Sequence, residues 1–285
     1  MNKRKCFPQT CELSVKRRRV QECPPSSQTP DQGAWDEIPY VVLLHIFKHL
    51  DSKSRCAAST VCKRWNFAFK NASLWRSVAL TIGGLNAKHT AFKCIRFLKL
   101  FGPHLRELRI SCQVLSYSNS LLITDTLHAM FLLLPESGLR VLVLDNLEAD
   151  NHECWRYPRL AASLVTSLVN FVDSQRSLEQ FSMKSAKFEE QNGIRLLQAL
   201  GQPSASNLSS LDLEAFFSEH VSVANCAAFK TALTTFSHVE TLALNYWYLS
   251  DELMKQMALA FRRLKRLKVT CLWDSDNDGM LLRHS

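Results

Sequence analysis

Glycine is scarce: the 285 residues contain only 8. Folds that turn on frequent glycines are therefore less expected than helix-rich ones. No run reaches the roughly 18 apolar residues that a membrane-spanning helix needs. The nearest, Leu121 to Leu134, is interrupted by Asp125 and His128 and reads as a buried amphipathic helix. The N-terminal residues lack an apolar signal core, and the ten cysteines are scattered. Most of them, such as Cys56, Cys62, Cys94 and Cys226, lie inside apolar periodic segments. That predicts buried reduced thiols rather than a secreted disulfide scaffold. The one close run, Cys6, Cys11 and Cys23, sits in a polar tail with no second ligand pair, so it lacks zinc-site spacing.

Catalytic patterns are missing as well. His152-Glu153-Cys154 has no Pro-Cys-x-x-Cys partner of the kind a zinc deaminase requires. Gly83-Gly84 stands alone and does not make a phosphate-cradling loop. Asp274, Asp276, Asn277, Asp278 and Gly279 lack the distal glutamate that closes a calcium loop. The expectation is a binding protein without catalysis, metal or cofactor.

What the chain does have is 46% hydrophobic residues, enough for a small module plus a larger one. The formal net charge is +9, and a dense part of it lies in the first twenty residues. Residues 1–33 hold four of the nine prolines (Pro8, Pro24, Pro25, Pro30) and show no apolar periodicity, which predicts a disordered basic tail. Lys3, Arg4 and Lys5 are followed ten residues later by Lys16, Arg17, Arg18 and Arg19. Two basic clusters on a flexible spacer read as a bipartite nuclear-localisation signal for an importin-type receptor, so nucleus and/or cytoplasm is the expected location. Nucleic-acid binding, suggested by charge alone, would reside in this tail and is not expected of the folded part.

Residues 34–82 read as a small three-helix module. Asp36 is a plausible N-cap, and Pro39 suits a first helical turn, where no N–H is needed. Val42, Leu43, Ile46, Phe47 and Leu50 then recur at helical spacing. Asp51 or Ser52 stops that helix and caps a second, which carries Cys56, Ala57, Val61, Trp65 and Phe69. A third short element carries Leu74, Trp75 and Val78. A core of this size is marginal alone. Ile38, Pro39, Val41 and Leu44 fall off the main stripe, so apolar surface is left for a partner.

This segment resembles the F-box. The family pattern of Leu-Pro, Ile-Phe and Leu, Val-Cys-basic-basic-Trp and Leu-Trp is held here by Ile38-Pro39, Ile46-Phe47, Leu50, Val61-Cys62-Lys63-Arg64-Trp65 and Leu74-Trp75, without gaps. The resemblance implies docking to the adaptor Skp1, and through it to a cullin-RING ligase. It places Ile38, Pro39, Val42, Leu43, Ile46 and Phe47 at that contact. Leu50, Val61, Cys62, Trp65, Leu74 and Trp75 would form the module's core. Two positions depart from the pattern. Val41 stands where an acidic residue is usual, and Arg55 stands where a leucine is usual, so Arg55 is expected to face solvent.

From residue 95 to 285 a short pattern recurs: apolar, two residues, apolar, one residue, apolar. It appears at Leu105/Leu108/Ile110, Leu139/Leu142/Leu144, Leu178/Phe181/Met183, Leu208/Leu211/Leu213, Val239/Leu242/Leu244 and Leu264/Leu267/Val269. The units run between about 25 and 40 residues, partly above the usual leucine-rich-repeat range. Helical patterns lie between them, at 121–134, 160–172, 194–200, 226–236 and 252–261. Strand then helix, repeated, predicts an α/β fold with a parallel sheet. Stacked in a curve, the units make a right-handed leucine-rich-repeat solenoid for an unknown protein substrate, with a two-layer α/β domain as the alternative. The repeat region further resembles one branch of the F-box class, around Phe216-Phe217-Ser218, His220, Phe229-Lys230, Leu244-Asn245-Tyr246 and Ser250-Asp251-Glu252-Leu253. No polar capping unit follows the last strand pattern, so the stack is expected to be incomplete there.

Candidate substrate contacts are the side chains between the apolar strand positions: Arg106, Glu107, Arg109, Asp212, Glu214, Thr241, Asn245, Lys265, Arg266 and Lys268. Tyr246, Trp247 and Tyr248 join them as aromatic anchors just past a strand. The resemblance implies a non-catalytic substrate adaptor of an SCF ubiquitin ligase. A leucine-rich-repeat scaffold with a degenerate F-box is the alternative that Val41 and Arg55 favour.

Overall fold

The computed structural model describes residues 38–113, 115, 117–134, 138–147 and 158–271. The basic clusters, Asp36, His152-Glu153-Cys154 and Asp274 to Gly279 lie outside them. The chain forms two compact units, dividing between Arg76 and Ser77.

In the first unit, Pro39 is the N-cap of α1 (Tyr40–His49), with its backbone extended at ψ 139°. Asp51 caps α2 (Ser52–Ala58), its carboxylate accepting from the Ser54 N–H at 2.6 Å. The second expected helix is in fact two. α2 ends at Ala58 and α3 runs over Lys63–Phe69. The Ser59 and Thr60 hydroxyls turn back onto the carbonyls of Cys56 and Ala57, each at 2.7 Å. Such local bonds compete with helix continuation. A 3-10 turn, Ala72–Trp75, closes the unit.

In the second unit, seven strands form one sheet in chain order: β1 (Ser77–Gly83), β2 (Glu107–Gln113), β3 (Val141–Asp145), β4 (Gln180–Ser182), β5 (Ser210–Asp212), β6 (Thr241–Asn245) and β7 (Arg266–Thr270). Every pairing is parallel. The helices between them are α4 (Ala87–Phe101), α5 (Tyr117–Leu132), α6 (Pro158–Ser174), α7 (Glu190–Ser204), α8 (Ala227–Thr234) and α9 (Asp251–Ala260). Each packs on the next, so the helices form a second row beside the strands.

The six apolar triplets explain the sheet. Their middle residues align in register as Leu108, Leu142, Phe181, Leu211, Leu242 and Leu267. The first five triplets are buried throughout. Leu267 and Val269, on β7, keep 36% and 38% exposure, because β7 has a described neighbour on one side only. A second ladder precedes the strands. The backbone N–H groups of Arg140, Glu179, Ser209, Glu240 and Lys265 each donate to the carbonyl of the preceding member, beginning with Arg106. β1 and α4 were not among the expected elements. The pair Gly83-Gly84, with φ of 94° and 77°, ends β1, and a Cβ on Gly83 would stand 2.3 Å from the Gln113 carbonyl oxygen. This turn is what requires those two glycines.

Cys94 and Cys112 are free and buried, and burial pushes both thiols up to about 12. They remain protonated at neutral pH and serve as small core residues. Cys62 and Cys226 are free and half-buried, and Cys56 is buried. No helix of the described residues is long and apolar enough to cross a membrane.

An aromatic cluster fixes α7 against the later strands: Phe188, Phe216, Phe217, Phe229 and Tyr248, with neighbouring ring centroids 5.0–6.2 Å apart. Gly193 of α7 packs directly on it, and an added Cβ would fall 2.3 Å from the Phe217 ring. Alanine favours a helix over glycine by about 1 kcal/mol, but overpacking a full core costs about 1–3 kcal/mol. Gly193→Ala should therefore lower the thermal midpoint despite its better propensity, and a raised midpoint would show that the cluster yields.

Candidate partner-binding surfaces

The first unit has a closed interior. Leu43 and Phe47 have no exposure at all. Phe47 meets Trp65 edge to face at 5.8 Å, and Phe69 meets Trp75 at 5.1 Å. The Trp75 indole N–H donates to the Phe69 carbonyl at 2.8 Å, and Leu74 is buried beside it. Leu43 and Phe47 are thus spent on the module's own core and leave the expected contact set. Pro39 and Val42 remain exposed, Ile38 and Ile46 half-buried. Val42 and Ile46 are one helical turn apart and share a stripe.

Among the expected core residues, Leu74 and Trp75 are buried and Leu50, Cys62 and Trp65 half-buried. Val61 is not core. It lies in the break between α2 and α3 and is 61% exposed, as is Phe67 at 66%. Val41 is 77% exposed. Val41, Val42, Val61 and Phe67 of this unit are exposed apolar side chains.

Arg55 does not face solvent. Its Nε donates to the Phe47 carbonyl at 2.8 Å, Nη1 to Leu74 at 2.7 Å and Nη2 to Lys48 at 3.1 Å. Its guanidinium lies 5.4 Å from the Trp75 ring centroid. Phe47 and Lys48 belong to the last turn of α1, where carbonyls lack i+4 partners, and the Phe47 carbonyl also accepts the Leu50 N–H at 3.3 Å. Burial lowers the Arg55 pKa somewhat, yet an arginine stays charged at pH 7. The departure from the leucine pattern is thus a cap that ties α1, α2 and the 3-10 turn together.

The second surface is the polar face of the sheet. Register aligns Arg109, Val143, Ser182, Asp212, Ala243 and Lys268 across β2–β7. Many of the expected contact residues instead link neighbouring strands. Glu214 is buried and takes Lys184 at 3.2 Å and Lys268 at 2.7 Å. Burial pushes its carboxyl up, but the two lysines outweigh that and hold it below the usual carboxylate range. Asp145 is raised by burial and by the nearby Asp212. Lys265 pairs with Glu240 at 2.8 Å, Arg106 donates to the Gly138 carbonyl, Glu107 accepts from Ser77, and the buried Asn245 accepts from the Ala215 N–H. Thr241 is half-buried, while Arg109 and Arg266 are exposed.

The three aromatics divide. Tyr246 is 65% exposed at the end of β6. Trp247 is half-buried against the core. Tyr248 is fully buried, its hydroxyl accepting from the Phe217 N–H at 2.8 Å and donating to the Phe217 carbonyl at 3.3 Å. Tyr248 is therefore structural, and Tyr246 is the exposed aromatic of the three.

These features define a class: a small helical module followed in the chain by a parallel sheet built of strand–helix units. Residues 35–81 match the F-box-like family. The chain is also similar to F-box/LRR-repeat protein 21 from three mammals. For Ovis aries the identity is 39% over 66 residues, 22% of this chain and 15% of that protein. For Mus musculus it is 23% over 256 residues, 88% of this chain and 54% of that protein. For Bos taurus it is 43% over 53 residues, 18% of this chain and 12% of that protein. The chain spans about half the length of the mouse relative.

Proposed function

We propose that the chain is a substrate-recognition subunit of an SCF (Skp1–cullin–F-box) E3 ubiquitin ligase. The observation that carries this reading is a closed helical module, similar to the F-box-like family over 35–81, that leaves Pro39 at the cap of α1 and Val42 on it exposed, with Ile46 half-buried one turn on. The module holds Skp1 and, through it, the cullin-RING assembly. The sheet-and-helix region is a right-handed leucine-rich-repeat stack. Chain-order strands and in-register leucines support it, and parallel crossovers are right-handed in about 98% of cases. Its polar face, with Arg109, Arg266 and Tyr246 open to solvent, receives the substrate protein. The mechanism is approximation without bond-making. Tethering raises the effective concentration of a substrate lysine near charged ubiquitin.

Within this reading the aromatic segment around Phe216, Phe217 and Phe229 carries a likeness to F-box only protein 39 and its close relatives. The basic tail directs nuclear import. Replacing Lys16, Arg17, Arg18 and Arg19 by alanine should shift a fluorescent fusion of the full chain from nucleus to cytoplasm, and unchanged nuclear signal would remove the tail from the proposal. A second reading, a repeat scaffold that does not engage Skp1, is favoured by Val41, which is exposed where an acidic residue is usual. Affinity purification of the full chain from cultured cells separates the two. Skp1 and a cullin should co-purify, whereas recovery of other partners without Skp1 supports the scaffold.

A further inference from the structure

His45 and His49 stand one turn apart on the exposed side of α1. Their rings meet edge to face with centroids 4.8 Å apart, and the two Nε2 atoms approach to 3.3 Å. Among the described residues neither imidazole has another hydrogen-bond partner. At that distance one nitrogen donates a hydrogen and the other accepts it.

The same placement fits a metal ion. Histidines at i and i+4 lie on one face of a helix, the spacing by which helical His pairs hold zinc. Zn–N bonds of about 2.0–2.1 Å in tetrahedral geometry put the two donor nitrogens about 3.3–3.4 Å apart. The observed Nε2···Nε2 separation, 3.3 Å, is that bite. Loading requires that the shared hydrogen move to an Nδ1 and that the exposed rings turn until both Nε2 lone pairs meet at the ion. The hydrogen stays on the pair, so the step releases no proton.

We propose that His45 and His49 form a two-histidine chelate for a borderline divalent transition-metal ion: zinc, nickel or copper(II). Among the described residues no group of three or more His, Cys, Asp and Glu side chains converges to hold a metal, so water fills the other positions. Imidazole donors select these ions over magnesium and calcium, which prefer oxygen, and copper(II) binds tightest of the three. The chelate exists only while α1 is helical, so the ion stabilises α1 by mass action. The site does not depend on the ligase reading.

The test is nickel(II) titration of the untagged full chain and of His45→Gln, His49→Gln and the double variant, by calorimetry. Both residues are exposed, so the variants keep the fold, and circular dichroism confirms it. Cysteines and the other histidines are the same in all four chains and cancel in the difference. A chelate makes the second contact intramolecular, so each single variant should weaken the His-dependent site at least about tenfold and match the double variant. Nickel should slow amide exchange in α1 of the wild type only, and magnesium should do neither. Single variants that bind like the wild type, or that each lose only half of the effect, would overturn the proposal. So would a wild-type isotherm that overlays the double variant.

Discussion

A full-length chain carrying Val42→Asp together with Ile46→Asp keeps its fold and loses Skp1 by about a hundredfold or more. Val42 is 48% exposed, and Ile46, four residues on, is half-buried on the same stripe. Neither belongs to the fully buried set of Leu43 and Phe47. An unpaired carboxylate taken into an apolar groove is costly, and even partial burial of two such groups removes about 3–5 kcal/mol. That corresponds to roughly 10²–10⁴ in affinity. The choice of positions decides what the experiment means. Phe47→Asp would also abolish binding, but by putting a charge where Trp65 and Leu43 pack, so the loss would report unfolding. For the proposed pair, amide exchange across α1 and α3 should stay close to wild type while Skp1 is lost in a binding assay with purified components. Retention of wild-type affinity by the folded double variant would refute the contact assignment.

The helical module and the sheet were legible in the sequence to different depths, for physical reasons. The six triplets became β2–β7 because a strand buried on one face needs its apolar side chains at every second position. All five helical patterns between them were found as α5–α9. β1 was missed although Trp75, Val78 and Leu80 have the triplet spacing. Trp75 is claimed by the module's core, so one residue ends one unit just before the next begins, and spacing alone does not assign it. The break between α2 and α3 was hidden for the opposite reason. Ala57, Val61, Trp65 and Phe69 continue a four-residue period straight through it. The helix stops because Ser59 and Thr60 satisfy carbonyls with their hydroxyls, and a periodicity count does not register hydroxyl chemistry. That same break carries Val61 out of the core. Tyr246, Trp247 and Tyr248 look equivalent in sequence, yet a 3-10 turn sends only Tyr248 fully inside. Which of three adjacent aromatics turns inward depends on the Phe217 backbone, contributed 31 residues earlier.

Arg55 makes the strongest stability prediction for the module, because here a pattern-based expectation and the geometry point in opposite directions. If Arg55 were a solvated charge replacing a leucine, Arg55→Leu would be neutral or stabilising. The geometry requires the reverse. Three carbonyls, of Phe47, Lys48 and Leu74, receive its N–H groups at 2.7–3.1 Å. Hydrogen bonds to a charged group contribute about 1.5–3 kcal/mol each in favourable cases, and the ring contact with Trp75 adds about 0.5–1 kcal/mol. The leucine recovers some apolar burial, and water reaches carbonyls near the surface, so the net loss is smaller than the sum, about 2–4 kcal/mol. Arg55→Lys keeps the charge but not the planar fork that spans three acceptors. It should fall between the two. The readout is amide exchange of peptides covering 40–75 in the full chain, which isolates this unit from the larger sheet. Protection should drop most in the last turn of α1 and around Leu74, in the order wild type, lysine, leucine. Equal protection in the leucine variant would mean that the module closes without this clasp. The leucine of the family pattern would then be interchangeable with arginine here, and the half-buried charge would need another explanation.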